Sequence, residues 1–192
     1  MFYMVALFLT SIGKWQSHIF NIISYAFYLY ICFYYFYLGE IIITIATIVI
    51  SFVLIFVWKS NQKTNQFGKK QLVTKQIKWQ EQLFTNLAGA VLLGMFYYVF
   101  FITKSNEVFL NALMMALSVL YYYYAFRISK LSFVYGFISI ASYAVLWVRT
   151  FVSGDYFASI YIIGSVFSFV WSIYSLYLWN KTEKNNPISK TN

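Results

Sequence analysis

A chain of 192 residues that is 61% hydrophobic and only 10% charged, with a net charge of +9, is not a water-soluble domain, because so few charges cannot cover one. The same composition excludes disorder, and a lone cysteine (Cys32) with a lone histidine (His18) excludes a disulfide framework and a metal-ligand cluster. The basic residues lie between apolar runs and not on a soluble surface, so they indicate a polytopic membrane protein and no nucleic-acid partner.

The first twelve residues, MFYMVALFLTSI, would extend only about 18 Å as a helix. No basic residue precedes this run and no small-x-small cleavage site follows it. It therefore reads as a short or partial membrane helix and not as a signal peptide. Full spans follow at Ile19–Leu38 and Ile41–Trp58. A basic connection, Lys59–Gln82, comes next. In it Leu72, Val73, Ile77 and Trp79 interleave with Lys69, Lys70, Lys75 and Lys78. That pattern fits a solvated basic loop or a short helix on an anionic leaflet. Further spans fall at Leu83–Ile102, Val108–Phe126, Leu131–Val148 and Tyr156–Trp179. The runs are continuously apolar and not alternating, which selects helices over a barrel.

The expected fold is all-α, with about seven transmembrane helices, the first one short. The organisation reads as a three-helix repeat over 1–58, the connection 59–82, a linker helix 83–102, a second three-helix repeat over 106–180 and a tail 181–192. An odd linker helix makes the two triplets parallel repeats, an architecture that places a substrate site near the midplane between them. Gly39-Glu40 and Gly154-Asp155 open the last helix of each triplet, and each of those helices ends in a Trp closely followed by a Lys. Chance recurrence of such short motifs is the alternative.

Orientation follows from the basic residues. Six lysines between Lys59 and Lys78 fall on the same side as Lys14, Arg127, Lys130, Lys181, Lys184 and Lys190, leaving Lys104 and Arg149 opposite with Glu40, Glu107 and Asp155. The N-terminus is therefore expected outside and the C-terminus in the cytoplasm.

No acidic residue lies within a span, and there is no nucleotide or zinc motif. An enzyme is disfavoured, no cofactor is implied, and transport without direct ion coupling fits. His18 reads as an interfacial anchor. Trp15, Trp58, Trp79 and Trp179 suit an inner aromatic belt, Trp147 an outer one, and Trp171 neither. The sole proline, Pro187, leaves the spans without proline kinks. The run Tyr121–Tyr124 covers every face of its helix, so at least one hydroxyl faces protein or a water-filled path. Span hydroxyls include Ser24, Thr47, Ser51, Ser118, Ser139, Ser142, Ser165 and Ser168. Singly each is a helix back-bonder; together they suit a hydroxyl-bearing substrate and do not favour a charged one.

Three stretches resemble the PnuC family of nicotinamide riboside transporters. Tyr35-Phe36-Tyr37 runs into Leu38-Gly39-Glu40, like the family's Tyr-Gly-Glu. Asn111-Ala112-Leu113 with Ala116, Leu117 and Ser118, then Arg127, resembles its Asp-Ala-Leu-Thr-Thr-Ala-Leu-Ser start and basic turn. Trp58-Lys59 and Trp179-Asn180-Lys181 match its helix ends. The family's W-x-x-W falls on Phe133 and Gly136, and both tryptophans are absent. Its following Asn falls near Ile140, beside Ser139. Its Asn, Tyr and Gln of the third helix appear as Thr44, Thr47 and Ser51.

The resemblance implies a three-one-three fold related to the SWEET sugar transporters. It implies uptake of nicotinamide riboside or a related vitamin or nucleoside by facilitated diffusion, trapped by an intracellular kinase. It also implies a bacterial plasma membrane and a possible homotrimer. Depth and residue type nominate Tyr28, Thr47, Ser51, Ser118, Tyr121, Ser139, Tyr143 and Trp171 as pathway-lining, substrate-binding residues. Two other readings stay open: a membrane subunit of an energy-coupled vitamin importer, and a non-transporting membrane protein.

Overall fold

The computed structural model describes residues 2–34, 38–64, 70–72, 74–104, 107–154, 156 and 158–185. Tyr35, Phe36, Tyr37, Lys69, Val73, Asp155, Pro187 and Lys190 lie outside them. Seven helices are found among the described residues: α1 Phe2–Ser11, α2 Ser17–Tyr34, α3 Leu38–Ser60, α4 Trp79–Ile102, α5 Val108–Phe126, α6 Leu131–Val152 and α7 Ala158–Asn185. The all-helical membrane fold read from the apolar runs is therefore observed. α1 has ten residues, about 15 Å, as the shortness of the first run requires. Among the described residues four helices are long and apolar enough to cross a membrane by length and composition: α4, α5, α6 and residues Ala158–Lys181 of α7.

The connection after α3 departs from the leaflet-helix option. It forms a small antiparallel hairpin, β1 Gln62–Thr64 with β2 Lys70–Leu72, in the register Gln62↔Leu72 and Thr64↔Lys70. The Asn61 amide donates back to the Val57 carbonyl (2.8 Å) and ends α3 before the strand begins.

The chain divides into two compact units, Met1–Thr74 and Lys75–Asn192. In the first, α1 packs on α2 and α2 on α3. In the second, α4 packs on α5, α5 on α6 and α6 on α7. The linker helix α4 is thus part of the second unit. Its surface is largely apolar and exposed (Leu83, Phe84, Leu87, Val91 and Met95), which a soluble monomer does not tolerate and a bilayer solvates.

The two units share one construction at residue level. In the first, α1 ends in a Schellman turn: Lys14 N–H donates to Leu9 O (2.9 Å), Gly13 N–H donates to Thr10 O (3.0 Å), and Gly13 takes a left-handed φ of 68°. In the second, α5 ends with Ser129 N–H to Tyr124 O (2.9 Å), Ile128 N–H to Ala125 O (3.1 Å), and Ile128 at φ 54°. Each turn leads into a helix whose first turn carries a buried ring, His18 or Phe133. That ring meets the terminal tryptophan of the unit's last helix edge-on. His18 contacts Trp58 with centroids 4.6 Å apart, and Phe133 contacts Trp179 at 4.9 Å. This likeness is far more extensive than the Gly-acid pairs suggested. Those pairs are not the equivalent positions, because Gly39 lies within α3 whereas Gly154 precedes α7.

Trp58 and Trp179 are consequently core residues and not belt residues, at 2% and 4% exposure. Trp79, 70% exposed at the start of α4, does suit a belt. His18, read as an interfacial anchor, is buried against Trp58.

Candidate functional site

Helical spacing puts Thr44, Thr47 and Ser51 on one stripe of α3, together with Ile41, Leu54 and Trp58, and every one of these is buried. α7 repeats the stripe with Ser165, Ser168, Ser172, Ser175 and Trp179. Its positions stand at one constant distance from those of α3: 44 to 165, 47 to 168, 51 to 172, 58 to 179. Each unit therefore carries a ladder of small hydroxyls, buried but for the half-buried Ser172, ending at an equivalent tryptophan, Trp58 or Trp179. A hydrophobic pattern alone would not put hydroxyls on the buried stripe of a membrane helix.

In α7 the hydroxyl protons go to the helix's own carbonyls: Ser165 to Tyr161 O (2.7 Å), Ser172 to Ser168 O (2.9 Å) and Ser175 to Trp171 O (2.8 Å). Ser142 of α6 does the same to Ile138 O (3.0 Å). A back-bonded hydroxyl keeps its lone pairs, so the ladder presents acceptors to a ligand's N–H or O–H groups and costs no unpaired donor.

Aromatic rings add flat faces in the second unit. Trp147 stacks on Tyr161 with centroids 4.0 Å apart and 14° between planes, and Tyr143 meets Trp147 edge-on at 5.6 Å. Trp171 stacks on Phe167 at 5.8 Å. The Trp147 indole nitrogen is buried with no hydrogen-bond partner among the described residues. The ring of Tyr121 lies over Gly136, where an added Cβ would come within 3.1 Å of its Cδ2. A side chain at position 136, such as the tryptophan of the PnuC resemblance, would require the Tyr121 ring to shift.

The eight nominated residues divide between the units. Thr47 and Ser51 are buried on α3, and Tyr28 is half-buried on α2. Ser118 and Tyr121 on α5, Ser139 and Tyr143 on α6, and Trp171 on α7 are half-buried in the second unit. The contacts join Tyr121 to α6 through Gly136, and Tyr143 to α7 through Trp147 and Tyr161. The partners seen for Trp171, Phe167 and Tyr174, are on its own helix. The nomination missed Ser172 and Ser175 and left out Thr44, Ser165 and Ser168. Aligning the two terminal tryptophans, rather than the Gly-acid pairs, would have found the whole ladder.

Ionic groups stay at helix ends. Arg127, just after α5, grips Glu81 in the first turn of α4 through Nε (2.8 Å) and Nη2 (2.9 Å), and the Tyr123 hydroxyl donates to the same carboxylate (2.7 Å). At the opposite helix ends Arg149 pairs with Glu107 (2.5 Å). No group of three or more metal-ligating side chains occurs among the described residues.

The family model for the nicotinamide mononucleotide transporter matches residues 1–125. No curated protein matches the chain by sequence. Among solved structures, one described as the crystal structure of the vitamin B3 transporter PnuC is similar, with a TM-score of 0.80, 14% identity, and coverage of 96% of this chain and 79% of that one. At such identity the likeness is one of fold, and it extends beyond the family match into α6 and α7. The resemblance read from the sequence is thereby borne out: this chain belongs to the nicotinamide mononucleotide transporter family, and is a multi-pass membrane transporter and not an enzyme.

Proposed function

We propose that the chain carries nicotinamide riboside, or a closely related phosphate-free nucleoside, across a bacterial plasma membrane by facilitated diffusion. The reading rests on the doubled ladder of buried hydroxyls combined with the confinement of described charges to helix ends. Ribose hydroxyls and a carboxamide donate to such acceptors. A phosphate would need a cation in the span, which the described residues do not offer. The pyridinium charge of nicotinamide riboside is spread over a ring, and aromatic faces such as Trp147–Tyr161 receive a flat cation well. With no acidic residue in the spans read from the sequence to couple to an ion gradient, net uptake depends on phosphorylation of the product inside the cell.

The eight nominated residues are proposed to line this path. The purified chain in liposomes, without nucleotide or partner subunit, is expected to equilibrate radiolabelled nicotinamide riboside and to exclude the mononucleotide. Replacing Thr47 and Ser139 together by alanine is expected to slow this uptake at least about tenfold, the equivalent of one or two lost hydrogen bonds. Uptake that requires an ATP-hydrolysing partner would favour an energy-coupled subunit. Absence of uptake and of any ligand-induced thermal stabilisation would favour a non-transporting protein. Unchanged uptake in the double variant would remove these two residues from the path.

A further inference from the structure

The equivalent turns of the two units differ in one respect that packing does not explain. At the start of α6 the residues are Lys130, Leu131, Ser132 and Phe133, and the Ser132 hydroxyl donates to Ser129 O (2.9 Å). At the start of α2 the equivalents are Trp15, Gln16, Ser17 and His18. Here Gln16 Oε1, Ser17 Oγ and both His18 ring nitrogens are buried with no hydrogen-bond partner among the described residues. Ser17 and His18 are 0% and 3% exposed. The ring contact with the terminal tryptophan needs no nitrogen, since Phe133 makes it with carbon alone.

Buried polar atoms without partners are costly, and the second unit builds the same turn with apolar Leu131 and Phe133 and a back-bonded Ser132. Burial holds the imidazole in its neutral form, with one donor and one acceptor nitrogen. Ser17 adds a donor and acceptors, and Gln16 an acceptor. The set matches a neutral group that both gives and takes hydrogen bonds, as vicinal hydroxyls do. The surrounding chain closes the turn: the Leu72 side chain of β2 sits against Gly13, and the Gln62 amide reaches the Gly13 carbonyl (3.5 Å).

We propose that Gln16, Ser17 and His18 form a second binding site, for the ribose hydroxyls of the transported nucleoside, at the Trp58 end of the first unit. This rests on the transport reading above. On the orientation expected from the basic residues that end is cytoplasmic, so the site would hold the substrate on its way out of the membrane.

The test is uptake of radiolabelled nicotinamide riboside by the full chain in liposomes, with thermal unfolding in detergent as the second readout. His18→Phe copies Phe133 and keeps an aromatic edge on Trp58. Its unfolding midpoint is expected to be equal or higher, while the half-saturating concentration for uptake rises about tenfold. Gln16→Leu copies Leu131 and is expected to give a smaller rise of the same sign. A merely structural role would leave the half-saturating concentration alone. If it is unchanged in the folded variants, the site is overturned and the polar atoms belong with buried water. If His18→Phe does not fold, Gln16→Leu decides. If the wild-type chain takes up no nicotinamide riboside, the transport reading itself has failed and the site falls with it.

Discussion

Gly13 and Ile128 do the same conformational work with opposite chemistry. Both take left-handed φ values, 68° and 54°, to end a helix. Glycine does so without strain, whereas a β-branched residue pays a steric penalty of about 1–2 kcal/mol. Ile128 recovers that by being fully buried. Alanine at position 13 would incur the strain, and its Cβ would stand 3.2 Å from Leu72 Cβ, closer than an ordinary contact. Gly13→Ala is therefore expected to destabilise by about 1–2 kcal/mol, read as a lowered unfolding midpoint in detergent. Gly94→Ala is the control: it lies in α4 with no atom within 4 Å of the added methyl. There helix propensity favours alanine, and an unchanged or raised midpoint is expected. Equal effects at both positions would refute the turn argument. The same pair shows what a sequence displays of a turn. Glycine before Lys14 signals a helix stop, but nothing in Arg127-Ile128-Ser129 announces the identical backbone.

At the level of elements, the spans were legible because the hydrocarbon core demands some twenty apolar residues per crossing. Among the described residues the six full-length runs each became a helix, with ends up to six residues from those expected. What faces what was not legible, since lipid and protein interior are equally apolar. Trp58 and Trp179 sit at belt depth yet point inward, and the Lys-rich connection concealed a hairpin because its strands are three residues each. The candidate site was half legible for the same reason: residue type and depth nominated Thr47 and Ser51, and only the fold shows that they share a buried stripe with Thr44. Helix pairing poses a sharper question at α4, which rests on α5 both through Gly89 and through the Glu81–Arg127 pair. The ion pair is part-exposed, at 28% and 45% for the two side chains, so screening limits it to less than about 1 kcal/mol. The Gly89 contact is close: an added Cβ would stand 2.8 Å from Leu120 Cδ1. Overpacking of that kind costs about 1–3 kcal/mol. Gly89→Val should therefore lower the unfolding midpoint more than Glu81→Gln does. The reverse order would mean that charge and not fit holds α4 in place.

For the molecule as a whole, the expected orientation rests on the number of Lys and Arg residues at each set of helix ends. The ends expected outside carry two basic residues, Lys104 and Arg149, the latter paired with Glu107. The ends expected inside carry Lys14, Lys59, Lys75, Lys78, Arg127, Lys130 and Lys181 among others. Short flanking segments with such an excess are retained in the cytoplasm. Ser60 is exposed at the end of α3 and Ser153 just after α6; three crossings by α4, α5 and α6 predict opposite sides of the membrane for them. On a Cys32→Ser background, Ser153→Cys is expected to react with a membrane-impermeant maleimide on intact cells. Ser60→Cys is expected to react only after permeabilisation. Exchange of the two results would invert the protein and place the Gln16–His18 cluster on the side where substrate arrives. Labelling of both from one side would break the crossing count itself, and with it the reading of α4 as a linker between two triplets.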